Sequence, residues 1–458
     1  MMTVIDTPYG SFPSNYQLKK LKELCVKKIG IQTGPFGSQL HNSDYVIVGT
    51  PILTVEHLGE NRILHDDLPC VSEKDRERLA RYTLKKGDIA FSRVGSVDRR
   101  ALVRDEEDGW LFSGRCLRIR PDPEKIDSMF LSYLLGLPTF KEYIRKIAVG
   151  ATMPSINTEI LSNIPICYPP LPIQHRIAHI LGSLDDKIEL NRQMNETLEA
   201  MARAIFKSWF VDFDPVRAKT EGRQPAGMDA ETAALFPDGF EEVEGREVPR
   251  GWKFSSLDGI FPHSNDCVVT GPFGSNLHAS DYRDDGVPII LVKHVMDGHI
   301  LDNDLPKVGH HKLPDLKRYT LKKGDIVFTR VGAVGRSAYV QDHQEGWLIS
   351  GQTLRVRIPD WNILHPRYLA QVFLEESFIE MVNNQALGTT RPSINTQLLL
   401  NFKFIAPPGE LVKKFVEKIS KIDELLHNNM EQSHTLAQIR DALLPKLMSG
   451  EIQVGDIK

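Results

Sequence analysis

The hydrophobic positions of this chain form two kinds of pattern, and each kind occurs twice. Short apolar runs of strand-like composition, separated by turn residues, occupy residues 16–168 and again 251–406. Stretches with a helical period, Met129–Ile147 and Arg367–Asn383, are mixed among them. This mixture predicts two α+β domains, each with a substantial sheet. The strand-like runs are Pro51–Val55, Asp88–Ser92 and Cys116–Arg120 in the first domain, and Pro288–Val292, Asp325–Thr329 and Thr353–Arg357 in the second.

A long amphipathic stretch follows each domain. Proline pairs at 169–170 and 407–408 end the domains and leave room for a helix to begin, which predicts helices over 170–212 and 408–450. Apolar residues in both stretches recur at steps of three and four, as in a coiled coil, with a polar interruption at the same point. The predicted seam consists of Ile177, Leu181, Leu184, Ile188, Asn191, Leu198 and Ile205 in the first helix, and Phe415, Ile419, Ile422, Leu426, Asn429, Leu436 and Leu443 in the second.

We expect the two helices to bury these seams against each other. A helix of about 35 residues is about 50 Å long, so it overhangs a domain of about 150 residues. A polar seam residue such as Asn191 costs stability, but it fixes the register and the choice of partner. Packing of each helix on its own domain is the alternative.

The two domains are near copies of each other. Gly34–Ser38 returns as Gly271–Ser275, and Arg81–Ile89 returns without change as Arg318–Ile326, both 237 residues later. Solenoid repeats have periods of only about 20–50 residues. The duplication therefore predicts two complete domains that do the same job on two similar targets.

Composition adds a restriction on charge and compartment. The net charge of −4 comes from one segment, because ten acidic and four basic residues between Asp212 and Glu247 give −6 and leave +2 for the rest. Binding to a polyanion therefore stays open. Residues 213–250 are rich in Pro and Gly and are predicted to be an extended linker. Five cysteines without a C-x-x-C pair, and no apolar run of membrane-spanning length, predict a cytoplasmic protein.

The motifs of common catalytic sites do not occur in the sequence. It contains no phosphate loop of the G-x-x-x-x-G-K-[ST] or G-x-G-x-x-G type. Cys167–Leu171 lacks the Asn or Asp of an amino-methyltransferase motif, and the pair His175 and His179 lacks a third metal ligand. We therefore predict no catalytic residue and no metal site. The recurring carboxylates Asp44 and Asp281, and Asp88 and Asp325, are interpreted as turn caps.

Basic residues beside glycine turns are candidates for phosphate contacts, because they neutralise charge where the backbone can approach closely. A solvated surface is the alternative. These residues are Lys85, Lys86, Arg93, Arg99, Arg100, Arg115, Arg118 and Arg120 in the first domain, and Lys322, Lys323, Arg330, Arg336, Arg355 and Arg357 in the second.

Positions that differ between the copies are candidates for reading bases, whereas identical positions should serve the fold or the DNA backbone. Cys70–Arg76 corresponds to Lys307–Leu313, and Gly150–Pro154 corresponds to Gly388–Pro392. Drift in surface loops is the alternative. The side chains with suitable chemistry are Thr152, His310, His311, Thr390 and Arg391.

Several motifs in order give the chain a family resemblance. They are the loop at 34–38, the Lys-Lys-Gly-Asp-Ile strand, the Gly-(Ala/Thr)-Thr-x-Pro-Ser-Ile-Asn turn, the helix ending in Trp209–Pro215, and the segment Leu443–Ile452. Over essentially its whole length, the chain resembles the specificity subunit of type I restriction-modification systems. The glycine-hydroxyl loops match the family motif, which adds Ser38 and Ser275 to the DNA-contact candidates.

The resemblance implies an architecture and a division of labour. Two target recognition domains would each read one half of a split double-stranded DNA sequence, and two antiparallel helices would set the spacing. The subunit would have no catalytic activity. It would recruit two modification subunits and also restriction subunits, which would bind S-adenosylmethionine, ATP and Mg²⁺, so no cofactor is expected in this chain. The alternatives are a coiled-coil adaptor without DNA specificity, and a self-contained DNA methyltransferase or nuclease.

Overall fold

The computed structural model describes residues 4–36, 39–262, 264–272, 276–302, 304–386 and 392–454. The chain divides into two compact units. Unit 1 comprises residues 1–193 and 429–458, and unit 2 comprises residues 194–428. Each unit contains one of the duplicated domains and about half of each long helix.

Unit 1 has a five-stranded and a four-stranded sheet. Its strands are β1 Val4–Thr7, β2 Gly10–Pro13, β3 Gln17–Lys20, β4 Ile31–Thr33, β5 Tyr45–Val46, β6 Thr50–Leu53, β7 Glu60–Asn61, β8 Cys70–Val71, β9 Ile89–Ser92, β10 Arg100–Leu102, β11 Leu111–Phe112, β12 Cys116–Ile119 and β13 Pro165–Tyr168. Its helices are α1 Glu73–Arg78, α2 Ser128–Leu135, α3 Pro138–Ile147, α4 Thr158–Ser162 and the first half of α5 Leu171–Phe210. The strand orders are β4-β12-β9-β10-β7 and β11-β6-β8-β5, and the pairs β1–β2 and β3–β13 stand apart.

Unit 2 repeats this plan with fewer strands. The strands are β14 Phe240–Val243, β15 Arg246–Pro249, β16 Lys253–Ser255, β17 Val268–Thr270, β18 Tyr282–Ile290, β19 Lys307–Val308, β20 Ile326–Thr329, β21 Ser337–Tyr339, β22 Leu348–Ile349, β23 Thr353–Val356 and β24 Phe404–Ala406. The helices are α6 Asp214–Thr220, α7 Ala230–Ala234, α8 Leu257–Ile260, α9 Leu313–Leu316, α10 Pro366–Val372, α11 Glu376–Gln385, α12 Thr396–Asn401 and the first half of α13 Gly409–Met448. The order β17-β23-β20-β21 corresponds to β4-β12-β9-β10 of unit 1, and β19-β18-β22 corresponds to β8-β6-β11, so the α+β class is confirmed.

The central strands are buried on both faces, and each central sheet also buries an ion pair. In unit 1 the Asp88 carboxylate, 1% exposed, accepts hydrogen bonds from Arg120 Nε at 2.7 Å and Arg120 Nη2 at 2.6 Å. Asp325 and Arg357 repeat both bonds in unit 2 at the same two distances. A duplicated buried ion pair fixes the position of each central sheet, because breaking it would strand a charge away from water.

The predicted helix Met129–Ile147 is divided into α2 and α3. Gly136 ends α2, and Pro138 occupies the first turn of α3, where its missing N–H costs nothing. Gly136 also makes room for the buried Arg100, because a Cβ there would lie 1.7 Å from Arg100 Nη2. Arg100 Nε donates to Ser132 O at 2.5 Å, and Arg100 Nη1 donates to Glu60 at 2.6 Å. In the second copy Leu374 stands at the Gly136 position and Ser337 at the Arg100 position.

Segments of the two long helices pack against each other inside each unit, and those of unit 1 run antiparallel. In unit 1, Asn191 Nδ2 donates to Gln432 Oε1 at 2.9 Å, and Arg440 Nη1 donates to Asp185 Oδ1 at 2.7 Å, so falling numbers on α5 meet rising numbers on α13. In unit 2 the Phe206 and Phe415 rings are 5.8 Å apart. The predicted seam residues Ile177, Leu181, Asn191, Phe415, Ile419 and Ile422 are buried, and Leu184, Ile188, Leu198, Ile205, Leu426, Asn429, Leu436 and Leu443 are half-buried.

The helices also pack on the domains, so both expected packings occur together. The first half of α5 lies against α2, where a Cβ on Gly182 would be 2.7 Å from Met129 Sδ. The Tyr133 hydroxyl of α2 donates to Asp185 Oδ2 at 2.5 Å. A helix can serve two neighbours because its opposite faces bury different residues. No helix in the described parts of the chain has the length and apolar character that crossing a bilayer requires.

The prediction of an extended linker over 213–250 is wrong. The segment contains the helices α6 and α7 and the β14–β15 hairpin. Among its charges, Phe213, Val216 and Phe236 are buried in the core of unit 2, and Val248 is also buried. The high content of charge and proline led to the wrong prediction. Burial of a few apolar side chains is enough to order a segment that is otherwise polar.

Candidate nucleic-acid interface

Four loops of unit 1 meet where β9 ends. Main-chain hydrogen bonds join them: Arg93 N to Arg115 O at 2.9 Å, Ile156 N to Arg93 O at 2.9 Å, and Gly95 N to Pro154 O at 2.9 Å. Gly34 approaches so closely that a Cβ would lie 2.2 Å from Ser113 O, which requires a glycine there. We call residues 34–36, 93–99, 113–115 and 149–155 the loop cluster of unit 1.

Arg93 holds this loop cluster together. Its Nη1 donates to Gly114 O at 2.8 Å, and its guanidinium lies 4.3 Å from the centre of the Phe36 ring. The hydrogen bond and the contact with the aromatic ring both stabilise the charged guanidinium, which is only partly exposed to water. The half-buried Arg93 therefore positions the loops, and its side chain is already engaged.

Unit 2 builds the same cluster with the same bonds. Arg330 N donates to Gln352 O at 2.9 Å, Ile394 N to Arg330 O at 3.0 Å, and Gly332 N to Pro392 O at 3.1 Å. Arg330 Nη1 donates to Gly351 O at 3.3 Å, as Arg93 does to Gly114. The loop cluster of unit 2 comprises residues 271–272, 330–336, 350–352 and 392–393, and a shared main-chain frame supports both clusters.

The exposed side chains of the clusters differ between the units. Arg115 of unit 1 is exposed, and exposed Gln352 stands at its position in unit 2. Arg99 and Arg336 are exposed in both, as cations for phosphate contacts should be. The predicted contact Thr152 lies exposed at the tip of loop 149–155, beside Met153, which is 63% exposed. The clusters thus combine a common frame and common cations with different outward groups.

The lysine candidates lie apart from the clusters. Lys85 and Lys86 precede β9, whereas the loop cluster follows it, so four strand residues of about 3.3 Å each separate them. Lys86 Nζ contacts Asp105 Oδ2 at 2.8 Å, and Lys323 Nζ contacts Asp342 Oδ2 at 2.8 Å. Lys85 and Lys322 are exposed at the same turn. In each unit the lysine pair therefore lies at the other end of the central sheet from the loop cluster.

Each unit has a third candidate surface, formed by the divergent segment Cys70–Arg76 in unit 1 and by Lys307–Leu313 in unit 2. In unit 1 it comprises β8 and most of α1, where Arg76 bonds to Glu73 and Arg78 contacts Asp75 Oδ1 at 2.8 Å. In unit 2 the exposed His310 and His311 lie on a single helical turn before α9. His311 Nε2 is 3.9 Å from Asp281 Oδ1. Both segments begin with a paired strand, so a common scaffold carries acidic and basic groups in one copy and two histidines in the other.

Five of the basic candidates are not available to DNA, and their assignment to phosphate contacts is wrong. Arg100, Arg118 and Arg355 are 2%, 2% and 0% exposed, and Arg120 and Arg357 hold the buried carboxylates described above. Burial, with Arg120 beside it, lowers the pKa of Arg118 to about 10, so the group stays charged at neutral pH. The signal that could have revealed this is the recurrence of Asp88 with both arginines in the second copy.

Four predicted contacts, Ser38, Ser275, Thr390 and Arg391, lie outside the described residues. The interpretation of the recurring aspartates as turn caps agrees with the structure. Asp44 Oδ2 accepts from His41 N at 2.9 Å, and Asp281 Oδ2 accepts from His278 N at 2.7 Å. Such bonds close a turn and lower the pKa of Asp281.

Sequence analysis missed one group of three potential metal ligands. His65, Glu106 and Glu107 bring ligand atoms within 4.8 Å of one another. Glu107 is already engaged, because its carboxylate lies 2.8 Å from His65 Nε2 and accepts from Arg104 N at 2.7 Å. These hydrogen bonds connect the loop that carries His65 to the loop that carries Glu107, which explains why the two side chains lie together.

Comparison with known proteins identifies the family of the two duplicated domains. A family model described as the type I restriction modification DNA specificity domain matches residues 13–200 and 249–438. The HindI specificity subunit of Haemophilus influenzae is 31% identical over 438 residues, covering 86% of this chain and 92% of that protein. The MjaIX specificity subunit of Methanocaldococcus jannaschii is 24% identical over 459 residues, covering 99% and 97%.

A solved structure has the same fold. The S subunit of a type I restriction-modification system from M. genitalium aligns with a TM-score of 0.53 and 17% identity, covering 97% of this chain and 99% of that one. The family match covers both copies and most of the chain, and the shared fold extends to the long helices. This chain therefore belongs to the type I restriction-modification DNA specificity subunits and carries two copies of their specificity domain.

Proposed function

We propose that this chain selects the DNA target of a type I restriction-modification complex, with each unit reading one half of a bipartite site. The observation that carries the proposal is the pair of loop clusters, which share their main-chain bonds but differ in exposed side chains. A shared frame suits contacts to the DNA backbone, which has no sequence, and different outward groups suit different bases. The second function to weigh is an adaptor that uses its helices alone.

The helices and the partner subunits complete the proposal. The segments α5 and α13 set the spacing between the half-sites and dock two modification subunits, and restriction subunits join the complex. The chain itself is non-catalytic. S-adenosylmethionine, ATP and Mg²⁺ are bound by the partners, which agrees with a sequence that lacks a phosphate loop and a methyltransferase motif.

In the family that the chain belongs to, the modification subunits methylate adenine, so mapping methylated adenine tests the proposal directly. Host DNA is sequenced by a single-molecule method with and without this gene, while the partner genes stay intact. We expect one bipartite motif to be methylated only when the gene is present. A salt-dependent binding assay with selection from random DNA provides the second measurement, because specific binding enriches a site whereas phosphate contact alone does not. An adaptor would give no motif and no enriched site.

Exchanging the third surface between the units is expected to change one half-site only. In this variant the residues Lys307–Leu313 replace Cys70–Arg76 in unit 1. Val71 and Val308 are fully buried at matching positions, so the exchange keeps the core anchor and alters the exposed groups. Methylation mapping should show a new or relaxed half-site on one side of the motif and an unchanged half-site on the other.

The reciprocal exchange is the matched control. Placing Cys70–Arg76 in unit 2 should change the opposite half of the motif. If the complexes formed with both exchanged proteins still methylate the original motif, this surface does not read bases, and the loop clusters are left as the reading surface. Circular dichroism establishes that each variant is folded before its motif is interpreted.

A further inference from the structure

Each unit has a short loop that bulges out of the sheet beside the third surface. In unit 1, Tyr45 and Thr50 both pair with Val71, so the chain between them leaves the ladder and returns to the same place. The pairing of β18 with β19 in unit 2 shifts in the same way, around Val308. We call residues 46–49 and 283–286 the bulge loops of unit 1 and unit 2.

Both bulge loops have the same frame. Each ends in a glycine, Gly49 or Gly286, where a Cβ would overlap the main-chain oxygen of the paired valine. Each follows a turn that an aspartate closes, because Asp44 and Asp281 accept the main-chain bonds described above. The frame therefore supports residues 47–48 and 284–285 at matching positions.

The side chains on this frame differ between the units. Ile47 and Val48 of unit 1 are 99% and 86% exposed. Asp284 and Asp285, which are also exposed, stand at their positions in unit 2. Arg283 is engaged by its own turn, since its Nη1 donates to two main-chain oxygens there at 2.5 Å and 2.8 Å. One loop thus presents aliphatic groups, and the other presents carboxylates.

The bulge loops adjoin the third surface in both units. In unit 1, Val46 pairs with Cys70, the first residue of the divergent segment. In unit 2, Gly309 N of the corresponding segment donates to Asp281 O at 3.0 Å. The candidate reading surface of each unit therefore continues onto its bulge loop.

The aliphatic side chains of unit 1 lie outside the hydrophobic core. Consecutive exposed apolar residues are unfavourable unless they contact a partner. Ile47 and Val48 carry no hydrogen-bond donor or acceptor in their side chains, so these bond neither to phosphates nor to the polar groups of base edges. The C5-methyl of thymine is the apolar group that a base pair presents in the major groove, which is wide enough to admit a β-ribbon.

A protein is the other partner to weigh. Two copies of one partner protein would need the same surface on both units, whereas the bulge loops share only their frame. Two unlike half-sites require different groups on a common frame, and carboxylates suit the amino group of cytosine as aliphatic groups suit the methyl of thymine. The difference between the loops therefore favours bases over a protein.

We propose that Ile47 and Val48 read thymine methyl groups in the half-site of unit 1. This inference rests on the proposed function and deepens it, because it names the base chemistry that one loop recognises.

Replacing both residues by those of the second copy tests the role of the loop. With Ile47→Asp and Val48→Asp combined and the partner genes intact, methylation mapping should show a loss of thymine preference in one half-site. The other half-site should stay the same. Both side chains are exposed, so the core is left intact, and circular dichroism verifies the fold. An unchanged motif overturns the inference.

Uracil in place of thymine removes the methyl group and nothing else. The complex of the chain with its modification subunits is titrated with unmethylated DNA that carries the mapped motif, and each thymine of either strand is replaced in turn. In the half-site that the double variant alters, at least one replacement should weaken binding about fourfold, as the loss of one buried methyl predicts. Ile47→Ser combined with Val48→Ser should remove this preference. Equal binding of thymine and uracil DNA by the unaltered complex overturns the inference.

Leu18→Ser is the matched control. Leu18 is an exposed apolar residue of β3, in a separate two-stranded sheet of the same unit. This variant should keep the motif and the fourfold preference for thymine. Loss of the preference in this control would contradict the assignment to the bulge loop.

Two further outcomes separate this inference from the proposed function. Gel filtration measures assembly with the modification subunits, and a folded double variant that no longer assembles would show that the loop binds a protein, which overturns the inference. If a bipartite motif is found but uracil replacement has no effect, the proposed function stands and only the role of Ile47 and Val48 is wrong. If no motif is found, the proposed function fails and this inference fails with it.

Discussion

Replacing Asp88 with alanine is expected to destabilise unit 1 by about 3–5 kcal/mol, because removing one partner of a buried ion pair leaves the other charge uncompensated. Arg120 would lose both bonds to the carboxylate, and Arg118 Nε, 4.0 Å from Asp88 Oδ2, would lose its nearest anion. Asp88 also accepts from Lys85 N at 2.8 Å, so the turn before β9 loosens as well. The loss is a large fraction of the roughly 5–15 kcal/mol that stabilises a domain.

Hydrogen exchange measures the loss of stability strand by strand. Amides of β9 and β12 should lose protection, while those of β20 and β23 keep it, because the matching carboxylate Asp325 is intact. Asp325→Ala should give the mirror result. Glu73→Ala removes an exposed ion pair to Arg76 and serves as the control, with no measurable change expected. Unchanged protection of β9 in Asp88→Ala would show that the buried pair does not stabilise the sheet.

Deleting seven residues from each long helix is expected to shorten the gap in the methylated motif without altering either half-site. The deletion removes 188–194 and 429–435, which contain Asn191 together with its partners Gln432 and Ser433. Asn191 is thus removed together with these partners. Seven residues span about 10.5 Å of helix, or about three base pairs at 3.4 Å each. Seven residues are also close to two turns, so the seam stays on the same face.

Methylation mapping provides the measurement, and single deletions provide the control. Removing residues 188–194 alone leaves Asn429, Gln432 and Ser433 opposite a shifted seam, so we expect reduced stability and a weak motif of unchanged spacing, or none. A changed half-site with an unchanged gap in the double deletion would contradict the spacing role of α5 and α13. It would place the helices among the residues that read bases.

The fold was largely predictable because the two copies within the chain can be compared with each other. The recurrence of Arg81–Ile89 and of the proline pairs marked two domains and two helices, and steps of three and four marked the seam. The break between α2 and α3 at Gly136 and Pro138 could have been recognised from the same rules. The order in 213–250 could not, because its anchors are few and lie among many charges.

The reading surfaces were predictable only in part. A cluster of arginines in sequence does not reveal which side chains face inward. Arg120 bonds to the carboxylate of Asp88, thirty-two residues earlier, and Arg118 donates to main-chain carbonyls. Likewise, Lys85 and Arg93 are close in sequence but lie at opposite ends of β9. Distance along a strand separates charges that a sequence window groups together. The identity of both copies at Arg93 pointed correctly to a shared role but did not show that the role is internal.

The fit between Gly136 and Arg100 has a consequence for recombination between specificity genes. A crossover between the two copies that falls between codons 100 and 136 gives one of two products. One product places Arg100 against a leucine at the Gly136 position. The other keeps Gly136 but has a serine at the Arg100 position, which leaves unfilled space. The first product clashes where a Cβ would already lie 1.7 Å from the guanidinium, and the second loses packing contacts. Productive exchanges should therefore carry both codons together. Their breakpoints should fall before codon 100 or after codon 136, which defines an inheritable block inside a single domain.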